Sequence, residues 1–373
     1  MKATDAVDAV DVVALGESMV TFLPTRPGRL ADVPSFDRAI GGAESNVACA
    51  LAAAGHSVRW VSRVGADGFG DHLVETIGEH GVDVASVGRD PSRPTGVYFR
   101  TAGDRATDAH EVAYYRAGSA ASAMSVANVD LGAVRAARIL HLSGITAALS
   151  EDCLDLMREL TAPGGERPLV SFDVNYRPGL WTGPTDAGVL LDLARRADLV
   201  FVGEDEAEEA WRVTGGPEAI RALLPEPGVL VVKQGAAGAT VFVPGAGASW
   251  PVPPRGAAAD QYSPAPLTGL PAPTPPTFEP APTVGVVATV GAGDAFAAGF
   301  LSGTLRGLPV RSRLRLGHLY AAAALTTPAD LAPPPARDTT DRLTALDATA
   351  WERLRLGPGW TQADAAEEEV PTP

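Results

Sequence analysis

The sequence predicts an α/β fold, a mainly parallel sheet with helices on both faces. Three observations carry that prediction. Apolar strand-like runs alternate with helical patterns, the runs are apolar almost throughout, and two more polar strand-like segments, 19–39 and 95–117, break the rhythm. In chain order the runs are Val10–Leu15, Val58–Val64, Arg138–Leu142, Leu169–Val174, Leu199–Val202 and Val229–Val232. Helical stretches lie between them near Asn46–Ala54, Gly70–His80, Glu151–Leu160, Thr185–Ala194 and Glu204–Trp211. A sheet whose strands are apolar on both faces needs helices on both sides.

Toward the C-terminus, an apolar strand-like run from Val284 to Val290 leads into Gly291, Ala292, Gly293 and Asp294 at the start of a helix. The small residues let the backbone approach a ligand, and free N–H groups at a helix start favour an anion. A carboxylate there repels a phosphate unless it has a task, such as taking the proton of a hydroxyl that attacks it. The plainer reading is a helix start at which Asp294 only complements the dipole. Near the N-terminus, Gly41 and Gly42 open a second helix whose first turn carries Glu44, Ser45 and Asn46, and Val47–Ala54 is apolar nearly all round. That helix is expected to be buried with its polar first turn facing a cleft.

Composition fits one large core. The 373 residues are 46% hydrophobic, with no apolar run of membrane-spanning length and an acidic start, so a cytoplasmic protein without a membrane partner is expected. Thirty basic against 45 acidic residues argue against a nucleic-acid partner. Cys49 and Cys153 sit in apolar helical contexts, where burial is the default. Twelve prolines in 244–282 predict a disordered insertion, and the acidic segment 358–373 predicts a disordered tail. There is no phosphate loop ending in Gly-Lys-Ser/Thr and no dinucleotide glycine spacing, which argues against a Rossmann dehydrogenase.

Together the two glycine-led stretches resemble the paired signatures of the ribokinase and phosphofructokinase-B family of sugar kinases. Within it, Tyr114–Ala120, His141–Thr146 and Asp173–Arg177 are most similar to the 2-keto-3-deoxygluconate kinases. The resemblance implies a ribokinase-like kinase domain over 10–335, with segments 19–39 and 95–117 as a small β-sheet lid that closes over the sugar. It implies phosphorylation of the terminal hydroxyl of a sugar acid by ATP, with Mg2+ (magnesium) bridging the β- and γ-phosphates. Asp294 would be the base, Gly291, Ala292 and Gly293 the anion hole, and Arg177 would reach both substrate and transferring phosphate. Arg116 beside Tyr114 would meet the sugar's carboxylate, and Gly42, Asn46 and Tyr98 its hydroxyls. Asn175, Lys233, Gly235 and Gly238 would serve ATP, and Glu206 would bear indirectly on the metal. A homo-oligomer is expected, since lid sheets with exposed edges often pair.

Other readings stay open. Tyr98 and Tyr114 could be lid packing, Arg177 a surface ion pair, and Lys233 a solvated strand end. Gly203, Ala288, His318 and Ala117 depart from the family pattern, which motivates a catalytically weakened sugar-acid binder as an alternative. A kinase for a neutral sugar such as fructose or ribose is the other.

Overall fold

The computed structural model describes residues 8–101, 111–164, 167–181, 183, 186–244, 275–329 and 331–362. Its strands are β1 (Val10–Leu15), β2 (Met19–Pro24), β3 (Phe36–Gly41), β4 (Val58–Gly65), β5 (Val87–Asp90), β6 (Val97–Arg100), β7 (Val112–Tyr115) and β8 (Ala137–Ser143). There follow β9 (Leu169–Asp173), β10 (Leu199–Gly203), β11 (Val229–Lys233), β12 (Gly238–Phe242), β13 (Thr277–Pro280), β14 (Thr283–Val284) and β15 (Arg355–Leu356). Nine of them form one sheet in the order β13-β12-β11-β10-β9-β8-β1-β4-β5, parallel except where β12 pairs with β11 and β13. β3-β2-β6-β7 form a separate small sheet.

Both faces of the large sheet are covered. Along β1 the period-2 alternation sends Val12 and Ala14 into one core and Val13 and Leu15 into the other. The first core holds the helices Ala43–Ala53 and Ala292–Leu305, which are apolar on most sides because neighbours surround them. Gly299 allows the helix Val310–Leu325 to lie close, since a Cβ there would come within 2.5 Å of the Leu316 carbonyl oxygen. The helices Ala43–Ala53 and Ala292–Leu305 are joined at both ends. Asn46 donates to Asp294 at their N-termini, and near their C-termini the His56 Nε2 and Ser302 Oγ atoms are 2.9 Å apart. Cys49 and Cys153 are buried free thiols, as their apolar contexts predict.

Three sequence expectations are corrected. The run from Val284 to Val290 is a strand only at Thr283–Val284; Gly285 to Val290 cross toward the next helix unpaired by any ladder. Within the expected insertion 244–282, Thr277–Pro280 forms β13 on the edge of the large sheet, where a proline costs no ladder bond if its nitrogen faces outward. Glu279 anchors that strand, buried between Arg311 at 3.1 Å and Arg315 at 2.6 Å. Residues 245–274 lie outside the described residues. The expected tail begins too early as well: Trp360 is buried with Trp351 and Leu343, and only 363–373 fall outside the described residues.

Candidate active site

A cavity of about 630 Å³ opens between the small sheet and the carboxyl ends of the parallel strands, the end at which open α/β sheets hold ligands. From the strand ends come Asp173, Asn175, Arg177 and Lys233, with Glu206 from the helix Glu204–Trp211. The two glycine-led helix starts add Gly42, Asn46, Gly291, Gly293 and Asp294. Tyr98, Tyr114 and Arg116 face them from the small sheet and the turn after it. Residues far apart in sequence thus share one cavity.

Gly291 takes φ 77, the left-handed conformation that favours glycine, and turns the chain into the helix Ala292–Leu305. The first N–H groups of that helix have no carbonyl of their own turn to bond, so its start attracts an anion. Ala292 sits in that turn without lining the cavity. Asp294 follows, and its Oδ2 accepts from Asn46 Nδ2 at 2.9 Å. Burial raises the Asp294 carboxyl to about 7; the Asn46 hydrogen bond opposes the rise, the Asp173 charge adds to it, and Arg177 and Lys233 oppose it. A carboxylate that titrates near neutrality is suited to take a proton.

Lys233 is not a solvated strand end. Its Nζ donates to both carboxylate oxygens of Asp173 at 3.0 Å. Those residues sit on β11 and β9, and β10 between them ends in Gly203, the direct register partner of Lys233. Although burial pulls the ammonium down, Asp173 and Glu206 hold it well above its usual range, so it stays charged. A Cβ on Gly293 would lie 3.6 Å from that Nζ, which places the cation beside the helix start. Glu206 accepts from the Gly203 backbone N–H at 2.6 Å, and burial raises its carboxyl. Arg177 is half exposed, 3.9 Å from Glu206, so it is not locked into a surface pair. Asn175 adopts φ 43, rare for a residue with a side chain, and its buried Oδ1 has no partner among the described residues.

On the side of the small sheet, the rings of Tyr98 and Tyr114 lie 5.4 Å apart, and the Arg116 guanidinium sits 5.8 Å from the Tyr114 ring. Within the protein Arg116 also pairs with a carboxylate, that of the buried Glu17. Its Nε still lacks a hydrogen-bond acceptor among the described residues. Ser119 donates to the other oxygen of Glu17 at 2.7 Å. Gly235 and Gly238 do not line the cavity, and Gly238 has a structural reason for φ 141, since a Cβ would meet the Glu279 carbonyl at 2.3 Å. His318, one of the departures, is buried against Phe296, and burial lowers its imidazole to about 4.

Sequence reasoning missed Glu17, Asp173 and Arg100, all of which line the cavity. A signal existed for two of them: Asp173 ends the apolar strand β9, and Glu17 follows β1 by two residues, both at carboxyl ends. Among the described residues no group of three or more His, Cys, Asp or Glu is arranged to hold a metal ion.

Residues 9–262 and 276–337 match the profile of the pfkB family carbohydrate kinases. The chain is 33% identical over 339 residues to a 2-dehydro-3-deoxygluconokinase of Bacillus subtilis, covering 88% of this chain and 94% of that one. A Thermoproteus tenax protein of the same name is 33% identical over 320 residues, covering 85% and 88%. Among solved structures, a PfkB protein from Polaromonas sp. JS666 superposes with a TM-score of 0.71 at 32% identity, covering 91% of this chain and all of that one. With the family profile matched over most of its length and two lines of similarity above 30% identity, the chain belongs to the pfkB family of carbohydrate kinases.

Proposed function

We propose that this carbohydrate kinase transfers the γ-phosphoryl group of ATP to the terminal hydroxyl of a sugar acid, with 2-keto-3-deoxygluconate (2-dehydro-3-deoxygluconate) as the substrate. The observation that carries the chemistry is Asp294, held by Asn46 at a helix start, with a carboxyl near neutrality. Asp294 takes the proton as the hydroxyl oxygen bonds to phosphorus, and the bond to the bridging oxygen breaks, leaving ADP with the electron pair. The N–H groups from Gly291 to Gly293, with Lys233 beside them, stabilise charge on the transferring group. Magnesium, when bound, neutralises charge on the β- and γ-phosphates. Glu206 and Asp173 would hold its water shell.

The substrate class rests on the two relatives named 2-dehydro-3-deoxygluconokinase and on the charge of Arg116, which lines the cavity. One observation favours a neutral sugar instead: Glu17 already balances Arg116, so the guanidinium is not left without a counter-ion. A panel of ATP-dependent phosphorylation assays across keto-deoxy acids, fructose and ribose separates the two. Preference for a neutral sugar would overturn the acid reading. The residues 10–335 form the kinase unit in this proposal, with the small sheet as its lid. Exposed Tyr114 and Tyr115 on the edge strand β7 support pairing of two lids in a homo-oligomer. The proposal sets the reaction in the cytoplasm.

A further inference from the structure

Asp294 has two carboxylate oxygens, and only one of them can receive the proton of the attacking hydroxyl. Asn46 occupies the other, its Nδ2 donating to Oδ2 at 2.9 Å. The two residues stand in the first turns of the helices Ala43–Ala53 and Ala292–Leu305, whose packing in one core fixes the distance between them. Asn46 is buried, and its own Oδ1 has no hydrogen-bond partner among the described residues. Were the amide oriented by its surroundings, that oxygen would be satisfied first, because an unpaired buried acceptor is costly. The one hydrogen bond that the amide makes among the described residues is thus the one to Asp294.

We propose that Asn46 is the positioning residue of the base: its amide turns Asp294 so that Oδ1 faces the attacking hydroxyl, and its N–H stabilises the ionised carboxylate. The inference rests on the reading of Asp294 as the base. The other charged groups that face Asp294 are Asp173 of β9, Arg177 beyond β9 and Lys233 of β11. Arg177 and Lys233 favour the anion and Asp173 opposes it. All three stay in place when Asn46 is changed, so a shift in titration reports the amide.

The test is the pH dependence of kcat in Asn46→Leu and Asn46→Asp, beside Asp294→Asn as reference. Asn46→Leu removes the donor, and the acid limb is expected to move up by about one pH unit, the tenfold change that losing a charge-assisted hydrogen bond gives, with kcat down at least about tenfold. Asn46→Asp keeps the shape but sets two carboxylates together, so its limb should move up further. Asn46→Gln, which retains an amide donor, should recover part of the loss. Where the leucine variant does not fold, Asn46→Ser takes its place. An inactive Asp294→Asn with an unmoved acid limb and a changed KM alone in the Asn46 variants would overturn this inference and leave Asn46 as a sugar contact. An Asp294→Asn enzyme with wild-type turnover would overturn the base assignment, and this inference with it.

Discussion

Asp294 carries two consequences that pull in opposite directions. Asn in its place keeps the hydrogen-bonded shape but cannot accept a proton, so turnover should fall about 100- to 10,000-fold with both ligands still bound. Single-turnover assays check this. The same substitution should stabilise the fold in alkali. The folded carboxyl titrates at about 7 against an ordinary 3.8, so the folded state holds a proton that the unfolded chain has released between those values. The stability that this proton brings is fully present below about pH 4 and is lost as pH rises through about 7. Asp294→Asn should therefore melt higher than the parent at pH 8 and equally at pH 4. Lys233 predicts the reverse: Lys233→Met strands Asp173 as a buried, unpaired carboxylate and should cost roughly 3 kcal/mol, most of it recovered by adding Asp173→Asn. At Arg116, Gln should raise KM for the keto acid about 10- to 100-fold and leave neutral sugars nearly unchanged, since only the acid loses a charge-assisted bond. Equal losses would mark Arg116 as the partner of Glu17 and nothing more.

The elements differ in how plainly the sequence announces them. Val10–Leu15, Glu151–Leu160 and Glu204–Trp211 match the structure residue for residue, because unbroken apolar runs and periodic helices leave little else for those segments to be. β13 is hidden for a physical reason: a short edge strand beside prolines has no apolar period, and Glu279 is held by Arg311 and Arg315, more than thirty residues away. The site divides similarly. Its glycines, Asp294 and Asn46 stand in local patterns, whereas the pairs Glu17–Arg116 and Asp173–Lys233 join segments that only the folded sheet brings together. β13 also redraws any excision of the proline-rich stretch. Removing residues 256–274 should leave the melting temperature and turnover unchanged. Extending the cut through Pro280 deletes the partner of β12 and the buried acceptor of Arg315, and melting should drop by several degrees. Thermal melting of the two deletions makes the comparison.

For the molecule as a whole, the small sheet has two assignments, cover for the sugar and contact with a second copy. β7 lies on its edge, with Tyr115 two-thirds exposed. Tyr115→Glu should shift the protein to a smaller species in light scattering after size exclusion, with the isolated subunit still folded by circular dichroism. An unchanged mass would leave the edge as solvent-facing aromatic surface.

Asn46 and Asp294 are 248 residues apart in sequence. Synthesis from the N-terminus therefore produces Asn46, Tyr98 and Arg116, the residues proposed to face the sugar, long before the helix proposed to supply the base emerges from the ribosome. A chain interrupted before Ala292 lacks both the base that the proposal assigns and the helix start beside it, along with Phe296, Ala297 and Phe300 of the core. On the proposed mechanism, catalytic competence therefore waits until the helix Ala292–Leu305 has been made and has docked.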